Sequence, residues 1–258
     1  MMKPEKTEQF LNFCCEMSRQ LIRNGAEIYR VEESASRMLA AYGYEDIEVF
    51  AIPPCVIVSV RDACRNYTKS VRVKGSVNNL DRLDRLNDLC RTVCAEKPDV
   101  EEAMEQLRTI LAAPAYSPQT SYFFYGFAAA LFTLFWGGTA ADAAIAFACG
   151  LAVKLTISSM GRMNANIFFT YVCASMFLVL VPLGLAYLGC GIHMDKIIIG
   201  AIMLLVPGLA ITNVMRDVLA GDFVTALTKF AEVLIVAMAI AIGIAIPAGF
   251  ARMLFGGI

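Results

Sequence analysis

Histidine is nearly absent from this chain. His193 is the only one among 258 residues, so residues 1–192 hold none. With no G-x-S-x-G elbow either, no nucleophile–base constellation is visible, and no enzyme is expected. A G-x-x-x-x-G-K-[ST] phosphate loop is also missing, which argues against an ATP-driven pump. Nine cysteines are present, but none form a C-x-x-C pair. Cys14, Cys15, Cys55, Cys64, Cys90 and Cys94 therefore read as small thiols in a reducing compartment, not as zinc ligands or disulfides. No metal or cofactor is expected. Met1 to Gln9 is polar, with no apolar h-region behind it, so the first hundred residues are expected to remain in the cytoplasm. The net charge of −1 gives no sign of a nucleic-acid partner.

Charge is scarce in one part of the chain only. Residues 1–111 carry 34 of the 45 charged side chains, and the other 147 residues carry 11. This split predicts an α+β cytoplasmic domain over 1–113, then an all-α membrane domain of five transmembrane helices over 114–258. Five stretches approach the roughly 20 apolar residues a span needs. They are Tyr122–Ala141, Ala143–Met160, Ile167–Leu188, Ile197–Met215 and Phe230–Ala251. With a cytoplasmic N-terminus, Arg162, Arg216 and Lys229 fall inside, with Arg108 adding to that count and Lys154 able to snorkel inward. Lys196 and Arg252 fall outside, a weak bias of the positive-inside sign. The C-terminus is then expected outside. Small residues such as Ala128–Ala130, Gly150 and Gly200 suit close helix packing, a second membrane chain or a homo-oligomer.

The most polar point among these spans is Val206-Pro207-Gly208, followed by Thr212, Asn213, Arg216, Asp217, Gly221 and Asp222. Pro207 cannot donate its backbone hydrogen bond, and Gly208 makes unwinding cheaper. The pair reads either as a kink or as a break that exposes ligand-binding backbone groups. Pro207, Gly208, Thr212, Asn213, Arg216 and Asp217 are the candidate substrate-binding residues. Arg216 suits a substrate carboxylate. Asp217 suits Arg216, an ammonium group or a proton. The plainer reading is a helix end with a surface ion pair. Asp222 fits an N-cap. It joins Glu232 as a candidate for gating or coupling, although Glu232 has Lys229 three residues away as a ready partner. Asp142 reads as a solvated turn residue and His193 as a surface histidine.

The first part alternates in period. Phe10, Leu11, Phe13, Cys14, Met17 and Leu21 mark a helix over 5–24. Ile28, Val31, Ala35, Met38 and Leu39 mark a second over 27–41, with Gly43 as its C-cap. Alternation at Ile47, Val49 and Ala51, a run at Val56–Val60 and another at Tyr67–Val73 predict three strands. Helices follow at Asn79–Ala95 and Asp99–Leu111. The charged turn Gly25–Glu32 reads most simply as a solvated helix start, with Glu27 and Glu32 near the positive end.

Taken in order, Gly25-Ala26-Glu27 through Val31-Glu32, the strands, Val77-Asn78-Asn79-Leu80-Asp81-Arg82-Leu83, then five spans with the Pro207–Asp222 segment resemble the threonine/serine exporter family. The resemblance covers nearly the whole chain. It implies a secondary exporter of small polar metabolites in the cytoplasmic (inner) membrane of a prokaryote. It further implies the larger member of a split pair, with a small membrane partner subunit supplying the second half. The substrate it implies is threonine or serine, or a C4 dicarboxylate such as succinate. The alternative is a membrane-anchored enzyme or sensor acting through its soluble domain, and a scaffold subunit is the blandest reading.

Overall fold

A computed structural model describes residues 4–62, 65–75, 78–113 and 116–255. Cys64, Val77 and the side chain of Arg252 lie outside the described residues. The chain gathers into two compact units. One comprises Met1–Pro114 and Thr212–Lys229, and the other comprises Ala115–Ile211 and Phe230–Ile258.

In the first unit, α1 (Pro4–Arg23) and α2 (Ile28–Ala41) are followed by β1 (Glu45–Ile52), β2 (Cys55–Asp62) and β3 (Arg65–Arg72), then α3 (Leu80–Glu96) and α4 (Val100–Ala112). The helices form where apolar residues recur at three- and four-residue spacing, so that one face can be buried. Phe10, Phe13, Cys14 and Met17 of α1 are wholly buried, as are Ile28, Val31, Ala35, Met38 and Leu39 of α2. Each large side chain among them contributes about 1.5–3 kcal/mol by leaving water. The strands form an antiparallel sheet in the order β1-β2-β3, with Val56 opposite both Ala51 and Val71. Val56, Val58 and Val60 point into the core, and their polar neighbours point away. The sheet packs against α1 and α2.

In the second unit, α5 (Pro118–Phe135), α6 (Ala140–Arg162), α7 (Ile167–Tyr187) and α8 (Met194–Ile202) precede α9 (Gly208–Ala220) and α10 (Phe223–Phe255). The last two helices are divided between the units, since residues 212–229 belong to the first. The core of the second unit mixes small side chains with Leu178, Ile197 and Leu205. Ala129, Ala146, Cys149, Ala174 and Ala201 are wholly buried, and Val236 and Ile240 of α10 join them. Gly150 shows why. A Cβ there would lie 2.5 Å from the Tyr125 carbonyl oxygen and 2.8 Å from Gly126 Cα, so α5 and α6 can approach only over glycine.

The structure does not show the five expected spans. Among the described residues, three helical stretches are long and apolar enough to cross a membrane: α6, α7 and Phe223–Ala251 of α10. The first expected span, Tyr122–Ala141, overruns α5. Gly137-Gly138 turns the chain, and Thr139 starts α6 through a reciprocal cap with Asp142. The fourth, Ile197–Met215, falls on two helices of 9 and 13 residues. Pro207 stands at that interruption, and Gly208 opens α9. The polar connection expected between Arg216 and Lys229 is mostly helical. α9 continues to Ala220, and after a short turn Asp222 starts α10 by accepting from the Thr225 amide at 3.2 Å. The last helix therefore begins well before Phe230.

Candidate functional site

The site is assembled from two pieces of the first unit, the turn before α2 and the polar face of α9. Where α1 ends, Gly25 adopts φ +98. That conformation favours glycine, and a Cβ would also meet Asn78 Oδ1 at 2.9 Å. The turn presents the Gly25 carbonyl and, two residues on, Glu27 at the N-cap of α2. The Glu27 side chain makes no cap bond. Its carboxylate instead pairs with Arg216 through Oε1 and with Arg30 Nε through Oε2, the latter at 2.8 Å. Asn213 Nδ2 donates to the Gly25 carbonyl at 3.4 Å. Asn213 and Arg216 are three apart and share a face of α9.

Burial divides the roles of these groups. The Glu27 side chain is 7% exposed, while those of Arg30 and Arg216 are 63% and 56% exposed. Burial pushes the Glu27 carboxyl up. Hydrogen bonds from Tyr29 and Arg216 and the charge of Arg30 outweigh that and hold it below the ordinary glutamate range. One buried anion thus anchors two guanidinium groups, whose remaining N–H donors reach solvent. The local charge is positive, and a guanidinium offers the paired donors that a carboxylate accepts.

A second ion pair lies further along the segment. Asp217 is 1% exposed and bonds Lys229 at 2.8 Å. Its backbone carbonyl accepts from the Asp222 amide at 2.9 Å, which closes the turn between α9 and α10. Glu32 of α2 accepts from the Ala51 amide at 2.8 Å. Burial raises the Glu32 carboxyl pKa, the Ala51 amide opposes this, and the charge of Asp222 adds to the rise.

The structure brings some candidate residues together and leaves others apart. Asn213 and Arg216 meet the Gly25–Glu27 turn. Asp217 pairs with Lys229, not with Arg216. Asp222 caps α10. Thr212 is exposed on α9, Pro207 precedes that helix and Gly208 is its first residue. Glu232 is exposed on α10, and Lys229, offered by the sequence as its partner, bonds Asp217. Among the described residues, no histidine, cysteine and carboxylate group could hold a metal ion.

Two readings from sequence need correction. Glu27 is not a solvated helix start, since a distant arginine neutralises it in a buried position. Asp142 is not solvated. It is wholly buried at the start of α6, and it accepts from Thr139 N and Oγ1 at 2.8 Å each and from the His193 amide at 2.9 Å. Its Oδ2 also lies 2.9 Å from His193 Nδ1, so His193 ties the α7–α8 loop to α6. The Thr139-x-x-Asp142 spacing was the available signal for the cap. The contact with His193, 51 residues away, left no local trace. Lys154 lies with Nζ 4.8 Å from the centre of the Tyr125 ring, within cation–π range.

Three membrane-length helices and a charged, separately cored unit define a membrane protein of the transporter class, once the sequence relationship is added. The chain belongs to the threonine/serine exporter family: the family model described as "Putative threonine/serine exporter" matches residues 12–251. It is 31% identical over 171 residues to "Pheromone-regulated membrane protein 10" of Pichia sorbitophila, covering 62% of this chain and 16% of that protein. It is also 31% identical over 150 residues to "Uncharacterized protein C7D4.12c" of Schizosaccharomyces pombe, covering 55% of this chain and 19% of that one. The matched stretch thus spans less than a fifth of either yeast protein. No solved structure matches the chain.

Proposed function

We propose that this chain is a subunit of a secondary exporter that moves small carboxylate-bearing metabolites outward across the cytoplasmic membrane of a prokaryote. The substrate is threonine or serine, or a C4 dicarboxylate such as succinate. The observation that carries this reading is the family match across residues 12–251. The chemistry of α9 is consistent with it. Arg216 presents donors to a substrate carboxylate, and Thr212 and Asn213 supply neutral hydrogen-bonding groups beside it. The interruption between α8 and α9 at Pro207-Gly208 matches the broken helices on which transporters place substrate sites. Asp217 keeps Lys229 neutralised. Asp222, whose charge adds to the rise of the Glu32 carboxyl, is the candidate for coupling, with Glu232 a further carboxylate for gating.

In this reading the N-terminus is cytoplasmic and the C-terminus external. A small membrane partner subunit supplies the remaining helices, and the exposed apolar faces of α5 and α10 offer it room. Vesicles loaded with labelled L-threonine or succinate test the proposal, using this chain alone and together with its partner chain. Efflux of either substrate only when both chains are present is the expected result. No efflux of either substrate from the paired vesicles would overturn it.

A further inference from the structure

The helix that carries Arg216 has little apolar hold within this chain. The buried residues of α9 are Val214 and Asp217, while Leu209, Ile211, Met215, Val218 and Leu219 are exposed. The inward stripe of a helix is ordinarily apolar, and it is what fixes the rotation of the helix about its axis. With one buried apolar side chain, the rotation of α9 rests on polar contacts. Asn213 donates to the Gly25 carbonyl at 3.4 Å, Arg216 pairs with Glu27, and Lys229 Nζ donates to Asp217 Oδ2 at 2.8 Å.

The last of these is the best shielded. The Asp217 side chain is 1% exposed and that of Lys229 16%, so solvent and salt screen this pair far less than the half-exposed Arg216. The Asp217 carbonyl also accepts from the Asp222 amide at 2.9 Å, so one residue holds both the helix and the turn into α10. Asp217 follows Arg216 directly, and successive side chains leave a helix about 100° apart. Fixing Asp217 on Lys229 therefore fixes the direction in which Arg216 leaves α9.

We propose that Lys229 is a positioning residue for Arg216. Through Asp217 it sets the rotation of α9 at which Arg216 reaches Glu27 with donors left over for a substrate carboxylate. This inference rests on the reading of Arg216 as the carboxylate-binding group. It gives Asp217 a different task from the one its sequence position suggests. Buried, and with Oδ2 taken by Lys229, Asp217 holds the helix and does not hold a substrate ammonium group. A buried ion pair adds little net stability over an apolar pair of similar volume, and fixing register is its best-attested use.

The test is efflux of labelled L-threonine and labelled succinate from vesicles that hold this chain with its partner chain, over a series of internal concentrations. For the substrate that the wild-type pair exports, Lys229→Met should raise the half-saturating concentration about tenfold or more and leave the maximal rate within about twofold. Lys229→Arg keeps a cationic donor and should export as wild type. The exchange of Asp217→Lys with Lys229→Asp restores the pair in reverse and should recover most of the loss. Added to Arg216→Ala, Lys229→Met should reduce efflux no further than Arg216→Ala alone, because it acts through that residue. If Lys229→Met does not co-purify with the partner chain, Asp217→Leu, similar in shape to the original, carries the same comparison. Wild-type kinetics in Lys229→Met or Asp217→Leu overturn the proposal. An exchange variant that co-purifies without recovering efflux, or losses that multiply with Arg216→Ala, overturn it as well. Wild-type efflux by Arg216→Ala would instead overturn the reading of Arg216 on which it rests.

Discussion

The two units pack with different mixtures of side chains. The first fills its core with Phe10, Phe13, Met17, Leu21, Met38 and Leu86, and its polar groups pair across elements distant in sequence. The second mixes alanine and cysteine with Val153, Leu178, Ile197 and Leu205, places glycine where α5 and α6 approach, and leaves Phe123, Phe127, Leu131, Phe177 and Leu234 on its surface. In water, large apolar side chains drive collapse, because burying them removes area from solvent. In lipid that driving force is lost, and association rests on close backbone approach between small residues. The segment Thr212–Lys229 belongs by contact to the first unit, although α10 continues into the second.

Substitutions in each core should break this contrast in different ways. Phe10→Ala is expected to cost about 3–5 kcal/mol, the usual range for a buried phenylalanine in a tightly packed core. Thermal unfolding of the full-length chain, followed by near-ultraviolet circular dichroism, would measure it. Gly150→Val should cost about 1–3 kcal/mol by overpacking, even though it adds apolar surface. If valine at that position stabilises the chain in detergent, close approach is not what holds α5 to α6.

The first unit was largely legible from its periodicities. The six apolar positions expected to define α1, and the five that define α2, are all buried. The alternation at Ile47, Val49 and Ala51 gave β1, and the run at Val56–Val60 gave β2. Local pattern sufficed because each of these elements buries a face set by its own repeat. The second unit was less legible, since hydropathy measures apolar length and says little about where a helix stops. A glycine turn and a Thr139–Asp142 cap shorten the first expected span, and Pro207 divides the fourth. The site was legible only in half. Asn213 and Arg216 stood out as polar groups in apolar surroundings. Their partners did not, because Glu27 lies 189 residues before Arg216 and nothing in a local window joins the two.

A smaller effect would sharpen the electrostatic side of the comparison. The Glu32 carboxyl is raised, first by burial and then by Asp222, against the opposing Ala51 amide. Between the ordinary glutamate range and that raised value, the folded chain holds a proton that the unfolded chain has released. Stability should therefore fall as pH rises through this window. Glu32→Gln keeps the acceptor for the Ala51 amide and removes the titration. The plot of Tm against pH should flatten just above the ordinary glutamate range, with little change at its acidic end. An unaltered slope would place the Glu32 proton equally in both states.

The central claim is that the polar face of α9, anchored by Glu27, handles a substrate carboxylate. Efflux of labelled L-threonine or succinate from loaded vesicles, with wild-type and Arg216→Ala chains each paired with the partner chain, tests it most directly. The account predicts a loss of efflux of about tenfold or more while the two chains still co-purify. Efflux at the wild-type rate by the Arg216→Ala pair would contradict it.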